Sequence, residues 1–188
     1  MLNALQYSHF LLDQLIQQFP EGNFIDATLG KGKDAYYILN HPLFSGCLYG
    51  FDIQEQAIMM SKDRLKSFPN FFPFQASHDQ ISTYIPHTTD IHGAIFNLGY
   101  LPGSDHQITT QFQSTLSAIQ QICNLLVANG QIIIVVYSGH PQGLIEKDQL
   151  LQELKHWSQK NYSILKYQFL NQENDPPFTL VIEKLTAD

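Results

Sequence analysis

Apolar residues recur along the chain with two alternating periods. Leu5, Leu12, Leu15, Ile16 and Phe19 fall at helical spacing within 3–19 and predict an amphipathic helix. "NFIDA" (23–27) reads as a short strand, 33–40 as a helix and "CLYGFD" (47–52) as a second strand. A helix over about 54–67 ends before Pro69. "FFPFQ" (71–75) predicts a third strand at a sheet edge, because Pro73 cannot donate to a ladder. "GAIFNL" (93–98) is a fourth. Ile108, Phe112, Leu116, Ile119, Cys123 and Val127 predict a long helix over 107–128, stopped by Asn129-Gly130. "QIIIVVY" (131–137) is continuous and β-branched, as a strand buried on both faces requires. A helix over 145–159 follows, then strands near 162–169 and 178–184 around a Pro-Pro loop.

That alternation predicts an α/β fold: an open, doubly wound, Rossmann-like sheet, mostly parallel, with helices on both faces and a closing hairpin. No repeat, low-complexity tract or long linker divides the chain, so residues 1–188 are expected to form one domain. Ligands of such sheets sit beyond the carboxyl ends of the strands, where strand order reverses. The segments 26–34, 52–54, 77–79, 97–106 and 137–143 lie at those ends, and the loop 170–177 of the hairpin shares the rim.

Composition narrows the functional classes. The formal net charge of −7 argues against unspecific nucleic-acid binding, which needs basic surface, without forbidding a locally basic site. No apolar run reaches the ~18 residues that a membrane span needs. The N-terminus has no basic segment before an apolar stretch. Cys47 and Cys123 are the two cysteines, without metal-like spacing, and a reduced cytoplasmic setting is expected.

Candidate chemistry begins at "DATLGKGKD" (26–34), two glycines between the acids Asp26 and Asp34. Asp52 ends the second strand, 22 residues after Gly30, where an acid takes a pair of ribose hydroxyls. That spacing alone fits NAD or S-adenosylmethionine. A dinucleotide fingerprint needs a third glycine, and Gly30-Lys31-Gly32-Lys33-Asp34-Ala35 lacks it. Carboxylates around the turn favour the ammonium and sulfonium of S-adenosylmethionine over a pyrophosphate. In "ASHD" (76–79), Ser77 and His78 are candidates for the adenine edge, and Ser77 or Asp79 alternatively caps the next helix.

"NLGYLPG" (97–103) leaves the fourth strand where the reacting group belongs. The side-chain carbonyl of Asn97 and the backbone carbonyl of Leu98 supply two acceptors for an amino group, and Tyr100 stacks on a base or closes the pocket. Asn-x-x-Tyr resembles the Asn-Pro-Pro-Tyr box of amino-group methyltransferases, without its prolines. An attacking amine must be neutral, and Asp105, His106 and His140 are the candidate proton acceptors. Neither cysteine lies near the predicted rim, which disfavours carbon methylation through a thiolate adduct and favours N or O.

Taken together, "DATLGKGKD", "GFDIQ", "SHD", "FNLGYLPGSDHQITT", "VVYSGH" and "NQENDPPF" resemble the YtqB/MnmM family of class I methyltransferases over about residues 8–185. The run 96–110 is the most specific. Lys31-Gly32-Lys33 departs from the family's frequent Asn-Gly-His. The resemblance implies a seven-stranded class I methyltransferase sheet with a C-terminal antiparallel hairpin. It implies S-adenosylmethionine as cofactor, and as substrate the aminomethyl group of a 2-thiouridine at the tRNA wobble position, reached through the anticodon arm. It places Asp26, Thr28, Gly30, Gly32, Asp52, Ile53, Gln54, Ser77, His78 and Asn97 around the cofactor. Asn97, Leu98, Tyr100, Asp105, His106, Tyr137 and His140 fall on the acceptor side. The loop carrying Asn171, Gln172, Asn174 and Pro176 shapes the entrance. Alternatives are an rRNA or small-amine methyltransferase, or a nucleotide-binding module without chemistry. For RNA phosphates the chain offers Lys31 and Lys33 beside the loop and Lys62, Arg64 and Lys66 on one helix, the latter expected to be a solvated face. A chain this small offers little surface to grip a tRNA arm, which points to a homodimer.

Overall fold

A computed structural model describes residues 1–99, 111–137, 141–173 and 175–186. The strands are β1 (Asn23–Asp26), β2 (Leu48–Asp52), β3 (Phe71–Gln75), β4 (Ile91–Leu98), β5 (Leu126–Val136), β6 (Tyr162–Tyr167) and β7 (Phe178–Lys184). The helices are α1 (Ala4–Gln18), α2 (Lys33–Leu39), α3 (Glu55–Arg64), α4 (Ile81–Tyr84), α5 (Phe112–Leu125) and α6 (Pro141–Leu154), with a 3-10 turn over His78–Gln80. The strands form one seven-stranded sheet in the order β3-β2-β1-β4-β5-β7-β6. The first five strands run parallel, and β7 is antiparallel to both β5 and β6. Strand order reverses between β1 and β4, which places a ligand crevice at their carboxyl ends.

Side-chain alternation along the strands feeds two core layers. Phe24, Ile95 and Ile133 face α1, α2 and α3 through Leu12, Ile16, Ile38 and Ile58. Ile25, Phe96 and Ile134, one residue on, face α5 and α6 through Ile119, Ile122 and Leu150. Both layers exclude water, which explains the unbroken apolar run of β5. Asn3 opens α1 with a capping box, its Oδ1 accepting the Gln6 N–H at 2.8 Å and Gln6 Oε1 accepting the Asn3 N–H at 3.0 Å.

Several details differ from the sequence expectation. Leu5 is 40 % exposed and lies off the buried stripe of α1. The expected helix over 107–128 ends at Leu125, and its residues 107–110 lie outside the described residues. Asn129-Gly130 sits inside β5 rather than after a helix: Asn129 takes φ 64°, and the register against β4 shifts between Ile91 and Gly93. The Asn-Gly pair therefore supplies the left-handed residue of a bulge, a use of this dipeptide that local pattern does not separate from a helix stop. α6 spans Pro141–Leu154 instead of 145–159; Pro141 opens it, as a residue with no N–H to lose there does.

Candidate active site

The ends of β1 and β2 are tied together through the backbone. The chain leaves β1 at Asp26, whose Oδ1 accepts the Thr28 N–H at 3.2 Å. It then passes through Gly30 (φ 50°) and Gly32 (φ 68°), left-handed conformations that cost a side chain energy. A Cβ on Gly32 would also stand 3.1 Å from the Ser61 Cβ, so the start of α2 is pressed against α3. Asp52 closes the turn from the next strand: Oδ2 accepts the Gly30 N–H at 2.8 Å and Oδ1 accepts the Gln54 N–H at 2.9 Å. Each carboxylate oxygen retains a lone pair for a further donor.

Asp26 differs from Asp52. It is 1 % exposed, and burial holds its carboxyl well above the usual carboxylate range, reinforced by the charges of Asp34 and Asp52. The Thr28 and Ala35 N–H groups only partly offset this. A cation entering beside Asp26 relieves both the burial penalty and the repulsion. A third polar feature faces the same crevice from the end of β3. His78 Nδ1 lies 3.2 Å from the Ala27 carbonyl, which only accepts, so Nδ1 carries the hydrogen. Burial lowers the pKa of His78 and favours the neutral ring. Its Nε2 is then a bare acceptor, buried and without a partner among the described residues. An acceptor left in that state is costly unless a ligand donor reaches it.

At the end of β4, the Asn97 N–H donates to Thr28 Oγ1 at 2.7 Å and the Asn97 Nδ2 donates to Asp34 Oδ2 at 2.7 Å. Asp34 Oδ1 meets His9 Nε2 at 2.7 Å. His9 lies flat on Tyr37, with ring centroids 4.0 Å apart, and the Tyr37 hydroxyl donates to Asp13 at 2.9 and 3.0 Å. Burial and the Asp13 carboxylate push the Tyr37 phenol up to about 12. Burial, with the charge of Asp34, also raises Tyr137 at the end of β5. Thus α1, α2 and β4 meet in one polar network.

The structure brings Asp26, Thr28, Gly30, Gly32, Asp52, Gln54, His78 and Asn97 to one rim. Ile53, next to Asp52, is 55 % exposed. Ser77 holds the cap position of the 3-10 turn but makes no side-chain cap bond, and Asp79 lies inside that turn. The Leu98 carbonyl already accepts the Tyr137 N–H at 3.1 Å, leaving the Asn97 carbonyl as the less committed acceptor. Asn171 and Gln172 are exposed in the loop between β6 and β7. Tyr100, Asp105, His106, His140 and Asn174 lie outside the described residues. Cys47 sits before β2, away from the rim, and burial pushes the Cys123 thiol up to about 12, far from a reactive thiolate. No helix among the described residues is long and apolar enough to cross a membrane.

Sequence reasoning registers Asp34 only as a flanking charge and misses His9, Asp13 and Tyr37. The available signal is His9 and Asp13, one turn apart on α1 beside its apolar stripe. Their partners come from 24 and 25 residues away, a pairing that spacing along one helix does not reveal.

The profile of a protein family described as "Putative rRNA methylase" matches residues 48–183, well over half of the chain. The chain belongs to this methylase family. It is 29% identical over 192 residues to the chloroplastic tRNA (mnm(5)s(2)U34)-methyltransferase of Arabidopsis thaliana, covering 96% of this chain and 69% of that protein. A crystal structure described as a "putative rRNA-methylase" from Clostridium thermocellum superposes with TM-score 0.91 at 33% identity, covering 98% of this chain and 99% of that one. A "putative methyltransferase" from Streptococcus mutans in complex with SAH gives TM-score 0.86 at 35% identity, with 98% and 99% coverage. The methylase is an S-adenosylmethionine-dependent enzyme with the class I sheet. The donor set suits that cofactor. A carboxyl starved of cations, a second acid with spare lone pairs and a bare buried imidazole acceptor match an ammonium-bearing adenosyl ligand better than a pyrophosphate.

Proposed function

We propose that this enzyme methylates the amine of 5-aminomethyl-2-thiouridine at the wobble position of tRNA, giving 5-methylaminomethyl-2-thiouridine. The observation that carries the reading is the Asn97 amide, whose NH2 is committed to Asp34 so that its carbonyl is left for an amine donor. The likeness to the Arabidopsis tRNA enzyme over nearly the whole chain supports the same substrate.

In this reading Asp52 takes the ribose hydroxyls, His78 accepts from the adenine amino group, with Ile53 against the base and Ser77 and Gln54 at its edge. Asp26, Thr28 and the Gly30–Gly32 turn hold the amino-acid tail. Bound there, S-adenosylmethionine supplies a sulfonium-activated methyl group that a neutral amine takes by direct displacement, the C–S electron pair leaving with sulfur. The Asn97 carbonyl accepts an amine N–H and keeps the nitrogen lone pair free, so alignment contributes much of the rate. Tyr100, Tyr137, Asn171 and Gln172 flank the target base, and Asp105, His106 or His140 takes the proton released. The anticodon arm docks over this rim with the target nucleotide turned out, as one protomer of a homodimer. Lys31 and Lys33, beside the cofactor turn, are the cations offered to the phosphates. Lys66 of the α3 cluster pairs with Asp63 at 3.2 Å, both exposed.

Purified protein, labelled cofactor and tRNA bearing the aminomethyl group test this, with rRNA and small amines as competing acceptors. Label on the wobble nucleoside is the expected result. Label on rRNA alone, which the family's description favours, would replace the substrate and leave the cofactor site standing.

A further inference from the structure

A primary amide is nearly symmetric in shape, so packing alone does not decide which end of Asn97 faces the acceptor. Turned the wrong way, it presents N–H groups that tie up the lone pair of an incoming amine. Charge decides: a carboxylate only accepts, so the Asn97 NH2 must face Asp34 Oδ2 at 2.7 Å, and the carbonyl must face away. The carboxylate is itself held. His9 Nε2 occupies the other oxygen at 2.7 Å, His9 is fixed by stacking on Tyr37, and Tyr37 is fixed by Asp13. Asp26 and Tyr137 also feel the charge of Asp34.

We propose that Asp34, steadied by His9, is the positioning residue that sets which end of the Asn97 amide meets the acceptor. This makes α1 part of the catalytic apparatus through its polar face, in addition to its part in the core. The inference rests on the reading of Asn97 as an amine holder.

The test compares Asp34→Asn, Asn97→Asp and the exchanged pair D34N/N97D on whichever acceptor the unaltered enzyme methylates. A failed choice of substrate therefore shows in the unaltered enzyme, before any variant is compared. In Asp34→Asn, His9 donates to the carbonyl of the introduced amide. The NH2 of that amide then faces Asn97 and inverts it, so the substitution lowers kcat about 50-fold. Asn97→Asp sets two carboxylates against each other and is also impaired. The exchanged pair restores a donor at 34 and an acceptor at 97, and recovers about tenfold of kcat over Asp34→Asn. S-Adenosylhomocysteine affinity by calorimetry stays within about threefold throughout, and the melting temperature confirms folding. Should Asp34→Asn fail to fold, the half-buried His9 serves: His9→Leu lowers kcat and His9→Gln, which still donates, recovers most of that loss. Near-normal turnover in Asp34→Asn, an equal loss of cofactor affinity, or an exchanged pair no better than the single variant would each overturn the assignment.

Discussion

Two acids close neighbouring strand ends, and the protein treats them in opposite ways. Asp52, at the end of β2, receives N–H groups from Gly30 and Gln54 and is half-buried. Asp26, at the end of β1, is buried among like charges and held toward its protonated form. The first is a carboxylate positioned by two backbone N–H groups, with a lone pair left on each oxygen. The second carries an unmet demand for a cation. On the proposed reading, a crevice with both kinds of acid separates the two ends of one ligand by charge, uncharged ribose at β2 and cationic tail at β1. A pyrophosphate would be repelled by the Asp52 carboxylate and would leave the demand for a cation at Asp26 unmet.

Breaking this arrangement should have graded effects. The largest comes from the acceptor side: Asn97→Ala lowers turnover about 100-fold or more, with cofactor affinity nearly unchanged, measured by single-turnover methyl transfer and calorimetry. Asp52→Ala does the reverse. It weakens S-adenosylhomocysteine binding about 30-fold, as loss of charge-assisted hydrogen bonds implies, and lowers turnover less at saturating cofactor. If these two variants exchanged phenotypes, the two sides of the crevice would be assigned backwards.

Asp26→Asn sharpens the contrast, because it should weaken the ligand yet stabilise the free protein. The folded protein keeps the Asp26 proton to higher pH than the unfolded chain does. Its contribution to stability is therefore greatest below the ordinary aspartate pKa of ~3.9 and falls as pH rises through the raised native value. Asp26→Asn removes that fall. Its melting temperature exceeds that of the unaltered protein by a few degrees at neutral pH (about 1 kcal/mol), and the gap closes on acidification. Calorimetry should show about tenfold weaker cofactor binding in the same variant. Gly32→Ala should cost about 1–2 kcal/mol by denaturant unfolding, from its left-handed backbone and the crowding of Ser61.

Much of the sheet is legible in the sequence because each strand announces itself locally. β4 over 93–96 and β5 over 132–136 are buried and apolar on both faces, β3 carries the proline of an edge, and the glycine turn is followed by an acid at nucleotide spacing. The rim is legible for the same reason, since its backbone turns are written in contiguous residues. What escapes is non-local. Asn129-Gly130 reads as a helix stop in isolation and becomes a bulge only when β5 pairs with β4. His9 looks like a polar residue of a surface helix until folding sets it against Asp34, and the same folding gives Asn97 its orientation. The lone acceptor of His78 follows from its bond to Ala27, 51 residues away, which spacing cannot supply.

The central claim, that the β1 and β2 ends hold an adenosyl ligand against an amine acceptor at the end of β4, is tested most directly by a crystal structure with S-adenosylhomocysteine. The account predicts ribose hydroxyls on Asp52, the adenine amino group on His78 Nε2, the ammonium beside Asp26 and the sulfur turned toward Asn97. A ligand seated elsewhere, or with its sulfur turned away from β4, would contradict it.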